Sequence, residues 1–550
     1  MSKWMSTWTA RPLGAVAVIA LLQTGLIFSG PRKGEAATIV YSNDVLGELE
    51  PCGCRNNPTG GLLRKAALLE SLKKDPEKGP LLQLDAGDLL FDSEIIPDAL
   101  QPQAEVQARA LLQAHESLGQ DAFVPGEKDF ALGTRKLRAL LKAAHFRALA
   151  ANLVDRKTGK AIFPASHVFR LGKLKVAVIG IVGSGLRWPQ DVRVTSEAEA
   201  LKREIRNVQS KKPHLIVALT HQGLDQDRAL VKAVRGVDVV IGAHTQSFLQ
   251  KPEKETHSDR ETLILQSSFR NQWIGVLPLD PKTGKAREAD HQLISLDTSF
   301  EPEGDPSGIR ARISKFKEEV AQVNRAQANN QGATKLSAEQ KEAVQSHQTF
   351  PKCAECHLKQ FDFWRKTPHG KSYIALLDQK QAENQSCIGC HSVGFQKPSG
   401  WNQLSHPAEL QPKTESTDGK TSQPAPLLAL DPEGLRPYLE SLHEESSLKS
   451  QVRLAPIAPE KIQLLEATRR LSRVWVNVQC ESCHGPAGEH PFGSAPYPKA
   501  VAQVTCLKCH SQERAPQWYG KNGQVDEGRW TESLKKMGCP AGSLNEEDLE

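Results

Sequence analysis

Residues 41–61 read YSNDVLGELEPCGCRNNPTGG: the end of the apolar run ATIVYS, then a polar loop bearing Asp44, then the thiols Cys52 and Cys54. A polar side chain delivered straight off an apolar strand recurs through residues 38–298. Strand-like runs there are ATIVYS, PLLQLDAG, RALAANL, KLKVAVIGIVG, PHLIVALT, VDVVIGAH, TLILQSS and WIGVLPLD. Between them lie helical patterns such as AEVQARALLQAHESLG, TRKLRALLKAAH, SEAEALKREIRNVQS and DRALVKAVR. This alternation predicts an α/β domain with a substantial sheet. The residues following the strands are Asp44, Asp88 in LDAGD, Glu127 in VPGEKDF, His221 in LTHQG, and His244 with Gln246 in IGAHTQ. Open α/β folds build sites from strand ends on one sheet edge, and a carboxylate between two cations, flanked by imidazoles, suits two-metal phosphoryl chemistry.

The chain has 550 residues, 39% of them hydrophobic, enough for two or three ordinary domains. A formal net charge of +6, spread without a dense Lys/Arg run, argues against nucleic acid as a partner. At the N-terminus Lys3 and Arg11 precede LGAVAVIALLQTGLIFSG, and the small residues around Ala36 and Ala37 resemble a signal-peptidase site. Residues 1–37 therefore predict export to the periplasm; the alternative is an uncleaved membrane tether, because Pro12 to Gly30 is near bilayer-spanning length. The 11 cysteines are segregated: Cys52 and Cys54, then none until nine between Cys353 and Cys539, which points to two modules of different chemistry.

Four times the C-terminal part repeats Cys-x-x-Cys-His, at 353–357, 387–391, 480–484 and 506–510. With 11 cysteines and 17 histidines in 550 residues, chance would produce roughly 0.007 such motifs. The cysteine pairs Cys353/Cys356, Cys387/Cys390, Cys480/Cys483 and Cys506/Cys509 can each form thioethers to one haem, with His357, His391, His484 and His510 as proximal iron ligands. Paired CxxC motifs also make zinc sites, but zinc does not require a histidine after every second cysteine. Four covalent c-type haems are the expectation. Distal ligands can come from His347, His369, His406, His443 and His490, a supply that fits mostly bis-histidine coordination.

The stretch CAECHLKQFDFWRKTPHGKSYIALL, followed by CIGCHSVGF and VQCESCHGPAGEH, resembles the tetrahaem cytochrome c family typified by the electron carrier of ammonia-oxidising bacteria. That resemblance implies a mainly α, haem-packed domain over 347–540 and makes His369 and His490 the leading distal ligands. It is interrupted by an insertion at about 400–470, loop-like at first and helical around LRPYLESLHEESSLK, which contains His406 and His443. In the tail, WTESLKKMGCPAG replaces the expected histidine-bearing helix with Met537 and Cys539, so Met ligation or one five-coordinate haem stays open.

The order SNDVLG, GGLLRKA, LDAGD, GEKDF, AANL, THQGLDQD, GAHTQ and QSSFRNQWIG resembles the 5′-nucleotidase branch of the calcineurin-like metallophosphoesterases. It implies an α/β/β/α sandwich over 38–298 holding one or two divalent metal ions. Asp44, Asp88, His221, His244 and Gln246 match metal-binding positions, with Asp88 at the bridging one. Two positions depart from the pattern. Leu46 stands where a first-metal imidazole belongs, and Glu127-Lys128 replaces an Asn-His pair, keeping an oxygen ligand but losing the histidine that stabilises the transition state.

Residues 299–346, including GIRARISKFKEEVAQVNRAQANN, are polar enough to predict a solvent-exposed or loosely docked helical linker. Three functions follow. The first is an exported electron carrier working with redox partners, either other cytochromes or a membrane quinol-linked complex. The second is an oxidoreductase acting on a nitrogen or sulfur oxyanion, and the third a phosphoesterase with a cytochrome appendage. Cys52 and Cys54 are too close for an easy mutual disulfide; they are either unpartnered loop thiols or a softer metal or redox site replacing the lost imidazole.

Overall fold

A computed structural model of the chain describes residues 36–51, 58–257, 260–330, 347–397, 401, 407–410, 428–444, 471–488, 490, 501–512, 514–520, 523–537 and 539. The N-terminal segment expected to direct export, Cys52, Cys54 and His406 lie outside these residues. Among the described residues no helix is long and apolar enough to cross a membrane.

Two six-stranded sheets make the N-terminal domain. In the first, β1 (Ala37–Ser42) is central and runs parallel to β2 (Leu81–Asp85), β3 (Ala122–Phe123) and β4 (Arg147–Ala148). On its other side β1 pairs antiparallel with β13 (Trp273–Leu279), which pairs with β14 (Gln292–Ser295). In the second sheet β7 (Leu174–Val182), β9 (Leu215–His221), β10 (Val239–Ile241) and β12 (Arg260–Leu265) are parallel. Its antiparallel edges are β6 (Ser166–Leu171) and β11 (Glu253–His257).

The two-residue period of a strand explains the layering. Val176, Val178 and Val182 of β7 pack with β1 and β2 between the sheets, whereas Ala177, Ile179 and Ile181 pack outward. The outward face is covered by helices Glu197–Gln209 and Leu224–Ala233 through Leu201, Ile205, Leu230 and Val231. Helices Leu62–Lys74 and Gln101–Leu118 bury Leu62, Ala66, Leu69, Ala108 and Leu111 in the core shared with the first sheet. The result is the expected α/β/β/α sandwich. One strand-like run behaves differently from its pattern. RALAANL splits, because the Ala150 and Ala151 amides donate to the Pro164 and Gly180 carbonyls, and β5 (Leu153–Asp155) pairs instead with β8 (Val192–Val194).

The linker also departs from the sequence reading. Helix Ile309–Asn330 is not loosely docked: Ile309, Ile313, Phe316 and Val320 are buried in the N-terminal core. These positions repeat at helical spacing, so a narrow apolar stripe is diluted by charged residues when polarity is averaged along the segment. The same helix buries Asn324, whose amide donates to Gln103 Oε1 and to the Glu383 carbonyl, each at 2.7 Å. Gln103 in turn donates to Asn384 at 2.7 Å and Ser386 at 2.9 Å, and Arg325 forms two 2.6 Å bonds to Glu383. The helix is thus a strut fixing residues 383–386, next to the second Cys-x-x-Cys-His motif, against the sandwich.

Beyond it lie short helices, among them Thr349–Ala354, Leu358–Lys366, Ser372–Asp378, Gln385–Ile388, Cys480–His484, Gln503–Leu507 and Glu527–Met537. Their core contains Phe350, Trp364, Tyr373, Leu376 and Trp401. The described part of the insertion supplies helix Pro432–Glu444 with buried Leu435 and Leu439. Strands Ala408–Leu410, Leu428–Leu430 and Leu471–Val474 form a small sheet. Helix Pro432–Glu444 is therefore structural as well as inserted.

Phe316→Ala should destabilise the N-terminal domain by about 3 kcal/mol, the cost of an emptied aromatic core position. Urea unfolding followed by pulse proteolysis would measure this; a loose surface helix would give a change near zero.

Candidate functional site

The loops leaving β1 and β2 are hydrogen-bonded to each other. The Asp44 amide donates to the Gly87 carbonyl at 3.0 Å, Leu46 to Asp88 at 2.8 Å and Gly47 to Leu89 at 3.1 Å. Asp44 (φ 50°), Leu46 (φ 54°), Asp88 (φ 52°), His244 (φ 79°) and Gln246 (φ 53°) all have left-handed backbones. This conformation costs a non-glycine residue roughly 1–2 kcal/mol, and its concentration at one sheet edge marks a site. Close approach is also built in at Gly126, where a Cβ would stand 2.2 Å from Asp88 Oδ1.

Four side chains converge here. Ligand atoms of Asp88, Glu127, His221 and His244 all lie within 4.8 Å of one another. His221 Nε2 is 3.0 Å from Glu127 Oε2 and 3.5 Å from Asp88 Oδ1, and His244 Nδ1 is 3.2 Å from Glu127 Oε1. His221 Nδ1 donates to the Ala86 carbonyl at 2.8 Å, which leaves Nε2 as the inward-facing nitrogen. Two carboxylates and two imidazoles at this spacing fit a single divalent cation of the zinc or manganese type.

Lys128 joins them from the rim. Its ammonium is ion-paired with Asp88 Oδ2 and lies 3.6 Å from Glu127 Oε1, and its amide donates to Asp88 Oδ1 at 3.1 Å. Burial opposes the Glu127 carboxylate, but the hydrogen bond from His221, the close approach of the His244 ring and the charge of Lys128 hold its pKa far below the usual range. Burial likewise opposes protonation of His221, yet Asp88 and Glu127 keep it well above its ordinary value in the metal-free protein.

Asp44 and Gln246 stand apart from this group of four. The Asp44 carboxylate accepts from Asn43 at 2.8 Å and from the His244 amide at 3.1 Å, and burial pushes its pKa up to about 7 despite the opposing charge of His221. Gln246 is half-buried on the loop after β10. Leu46, only 4% exposed, fills the imidazole position with methyl groups.

Several supporting residues escaped the motif reading. Asn43 accepts from the Ser267 amide and hydroxyl, each at 2.7 Å, and so ties the loop after β1 to the loop after β12. Asp129 accepts from the Leu90 and Gly126 amides at 2.8 and 2.9 Å; burial and the nearby Asp88 charge raise its pKa to about 8. Beneath the site, buried Lys65 donates to Ser42 at 2.9 Å, and Ser42 donates to Asp85 at 2.6 Å. Two basic residues, Arg64 and Lys65, in the first turn of an otherwise apolar buried helix face were the available signal for Lys65.

In the C-terminal module each Cys-x-x-Cys-His is one helical turn. The histidine amide donates to the first cysteine's carbonyl, at 2.9 Å for His357, 3.3 Å for His391 and 2.9 Å for His510, and Cys480–His484 is helical throughout. One turn places both thiols on one side with the histidine beside them. The Cys353 and Cys480 thiols are neighbours, as are those of Cys390 and Cys509, so motifs one and three adjoin, as do two and four. Cys356 is exposed, whereas the other seven cysteines of the four motifs are half-buried. Helix Thr349–Ala354 turns Thr349 and Phe350 into the module core, which leaves Glu355, Cys356 and His357 at its end facing solvent. The first motif therefore sits at the module's edge.

Two of the distal candidates face proximal histidines. The His357 and His490 rings have centroids 6.1 Å apart and planes 16° from parallel, and His369 and His510 are 5.9 Å apart. Two metal–nitrogen bonds of about 2 Å, plus roughly 1.1 Å from each nitrogen to its ring centre, set imidazole centroids about 6 Å apart across one metal atom. The spacing fits an iron between each pair. His391 Nδ1 donates to the Ser372 carbonyl at 2.7 Å, and His391 has no facing ring among the described residues. His443 Nδ1 donates to the Arg365 carbonyl at 2.6 Å and leaves a buried Nε2 unpartnered, while His347 is buried near the start of the module. Cys539 is exposed.

Comparison with known proteins bears on both halves. A family described as cytochrome c554 and c-prime matches residues 352–412. The 5′-nucleotidase of Homo sapiens is 29% identical over 330 residues, 54% of this chain and 55% of its own length. That of Vibrio cholerae is 26% identical over 331 residues, covering 52% and 56%. Among solved structures, a 5′-nucleotidase precursor from Thermus thermophilus aligns with TM-score 0.45 and 23% identity over 52% of this chain and 59% of that one. The sulfate thiohydrolase SoxB of the same organism aligns with TM-score 0.45 and 19% identity, over 53% and 62%. The N-terminal half thus resembles 5′-nucleotidases, and the chain spans about 55% of the length of these curated relatives.

Asp88 is fully buried and Lys128 only 16% exposed, so neutralising one partner strands the other. Asp88→Asn, assayed in the presence of chelator, should lower stability by about 3 kcal/mol in chemical unfolding. Equal stability would mean that the pair is solvated and without structural weight.

Proposed function

We propose that this chain is an exported tetrahaem c-type cytochrome for electron transfer, joined to an altered phosphoesterase domain that binds a divalent metal without acting as an efficient hydrolase. The observation carrying the first half is the placement of His490 and His369 about one metal's width from the histidines of motifs one and four, His357 and His510. The eight thiols of the four motifs supply the thioether attachments, and the match over 352–412 supports the same assignment. Haem supplies one-electron chemistry when bound. The chain's own residues do the rest. His357 with His490, and His510 with His369, would hold the haem irons, the Ser372 carbonyl fixes the His391 tautomer, and Phe350, Trp364 and Tyr373 pack the core that would shield the haems from water.

Adjacent motif pairs, one with three and two with four, support electron passage within each pair. The exposed edge at Cys356 and His357 offers the first motif to an outside donor or acceptor. The partners are redox proteins outside the cytoplasm, either other cytochromes or a membrane quinol-linked complex. The N-terminal apolar segment would deliver the chain there or tether it. Against phosphoester hydrolysis stand Leu46 and Lys128, which remove the two imidazoles that the 5′-nucleotidase pattern places at one metal and at the transition state.

A second reading is favoured by His391. With no ring facing it among the described residues, a haem at motif two would keep an open axial position and could act on a small nitrogen or sulfur oxyanion.

The test is the full-length protein produced with haem maturation. Pyridine haemochrome assay should return four haems per chain. His490→Ala and His369→Ala should each convert one low-spin haem to high-spin by electron paramagnetic resonance, and phosphoester turnover should remain at background with added Mn2+. Fewer than four haems, unchanged spin states in both variants, or strong metal-dependent phosphoester turnover would overturn the reading. A high-spin signal already present in the parent protein would favour the oxyanion role.

A further inference from the structure

A two-cation site shares one carboxylate between two sets of ligands. On one side of Asp88 the set is complete: Oδ1 lies 3.5 Å from His221 Nε2, and Glu127 and His244 close the group within 4.8 Å. On the other side it is not. The ligands there would be Asp88 Oδ2, Asp44, residue 46 and Gln246. Leu46 contributes no donor atom, and Asp44 already accepts hydrogen bonds from Asn43 and the His244 amide. Asp88 Oδ2, the oxygen a second cation would need, is ion-paired with Lys128 Nζ. Lys128 Nζ also lies 3.6 Å from Glu127 Oε1, so its ammonium is shared by the two carboxylates of the four-residue group.

We propose that the N-terminal domain is mononuclear, holding one divalent cation on Asp88, Glu127, His221 and His244, with the Lys128 ammonium permanently taking the place of the second.

The charge balance decides in favour of one ion. With Asp44, Asp88 and Glu127 all ionised, the site holds three negative charges and the Lys128 ammonium one positive, a sum of −2 that a single dication cancels. A second dication would leave +2 in a site whose carboxylates are 0–3% exposed, where uncompensated charge is strongly disfavoured. Both substitutions in the Glu127-Lys128 pair then make sense together. The glutamate adds a charged ligand to the retained ion, and the lysine adds the cation that replaces the lost one. Leu46 follows from the same change, because a position with no metal has no use for an imidazole and is filled by apolar packing instead.

This inference rests on the reading of the domain as a metal binder, and the experiment separates the two. The full-length, haem-loaded protein is stripped with chelator, reloaded with Mn2+ and desalted. Bound manganese is counted by elemental analysis, which haem iron does not disturb, and its electron paramagnetic resonance is recorded. The parent chain should hold one Mn2+ with an isolated-ion signal, and so should Lys128→Arg, which keeps the charge. The double variant Leu46→His, Lys128→Asn should hold two, with a spin-coupled signal. Circular dichroism and an unchanged haem content show that each variant is folded. Two ions in the parent would overturn the mononuclear assignment while leaving the metal reading intact. No ion in the parent would overturn both. A folded double variant that still takes one ion would remove Lys128 and Leu46 as the cause.

Discussion

The Asp88 carboxylate, fully buried at the end of β2, is the charge around which the N-terminal domain is arranged. An isolated buried carboxylate would be too costly to retain, so the surroundings are built to answer it. Lys128 pairs with one oxygen, and His221 and the Lys128 amide approach the other. Gly126 is a glycine because nothing larger fits beside it, and Asp88 itself adopts a left-handed backbone that aims its carboxylate at the sheet edge. The parallel strands fix that aim. β1 and β2 end side by side in one sheet, β9 ends against them from the other, and their buried apolar faces leave no freedom of register.

The same domain is a rigid platform for the C-terminal module. Helix Ile309–Asn330 packs its apolar stripe into the sandwich and then presents Asn324 and Arg325 to the segment that leads into the second Cys-x-x-Cys-His motif. Gln103 completes a buried amide network there, its own hydrogen bonds 2.7 to 3.0 Å long. Buried amides that are fully paired specify one geometry, since any shift leaves polar groups unsatisfied. A C-terminal module held in this way moves with the sandwich instead of swinging from a tether, although the two halves resemble unrelated families.

Local pattern made much of this legible. The alternation of apolar strands and amphipathic helices was enough for an α/β sandwich, because continuous apolar runs can be buried only in a covered, largely parallel sheet. The four Cys-x-x-Cys-His motifs needed no fold at all, since one helical turn brings both thiols and the imidazole together. How far each turn is enclosed did need the fold, and Cys356 is exposed because the helix before it spends its buried face on Phe350. Asp88, Glu127, His221 and His244 were visible as polar residues at strand ends. Their convergence was not, because it depends on how the ends of β2, β3, β9 and β10 line up across two sheets.

What the amino-acid order determined by itself was therefore everything carried by spacing of a few residues: strands, helices, Cys-x-x-Cys-His turns and the two substitutions at positions 46 and 128. Tertiary structure alone decided the relations between distant segments. It set His490 across from His357 and His369 across from His510, turned a polar-looking spacer into a docked strut, and placed the Lys128 ammonium on Asp88. The physical reason is the same in each case. A hydrogen bond or ion pair acts over a few ångströms, and which groups come that close is fixed by packing of the whole chain, not by their separation along it.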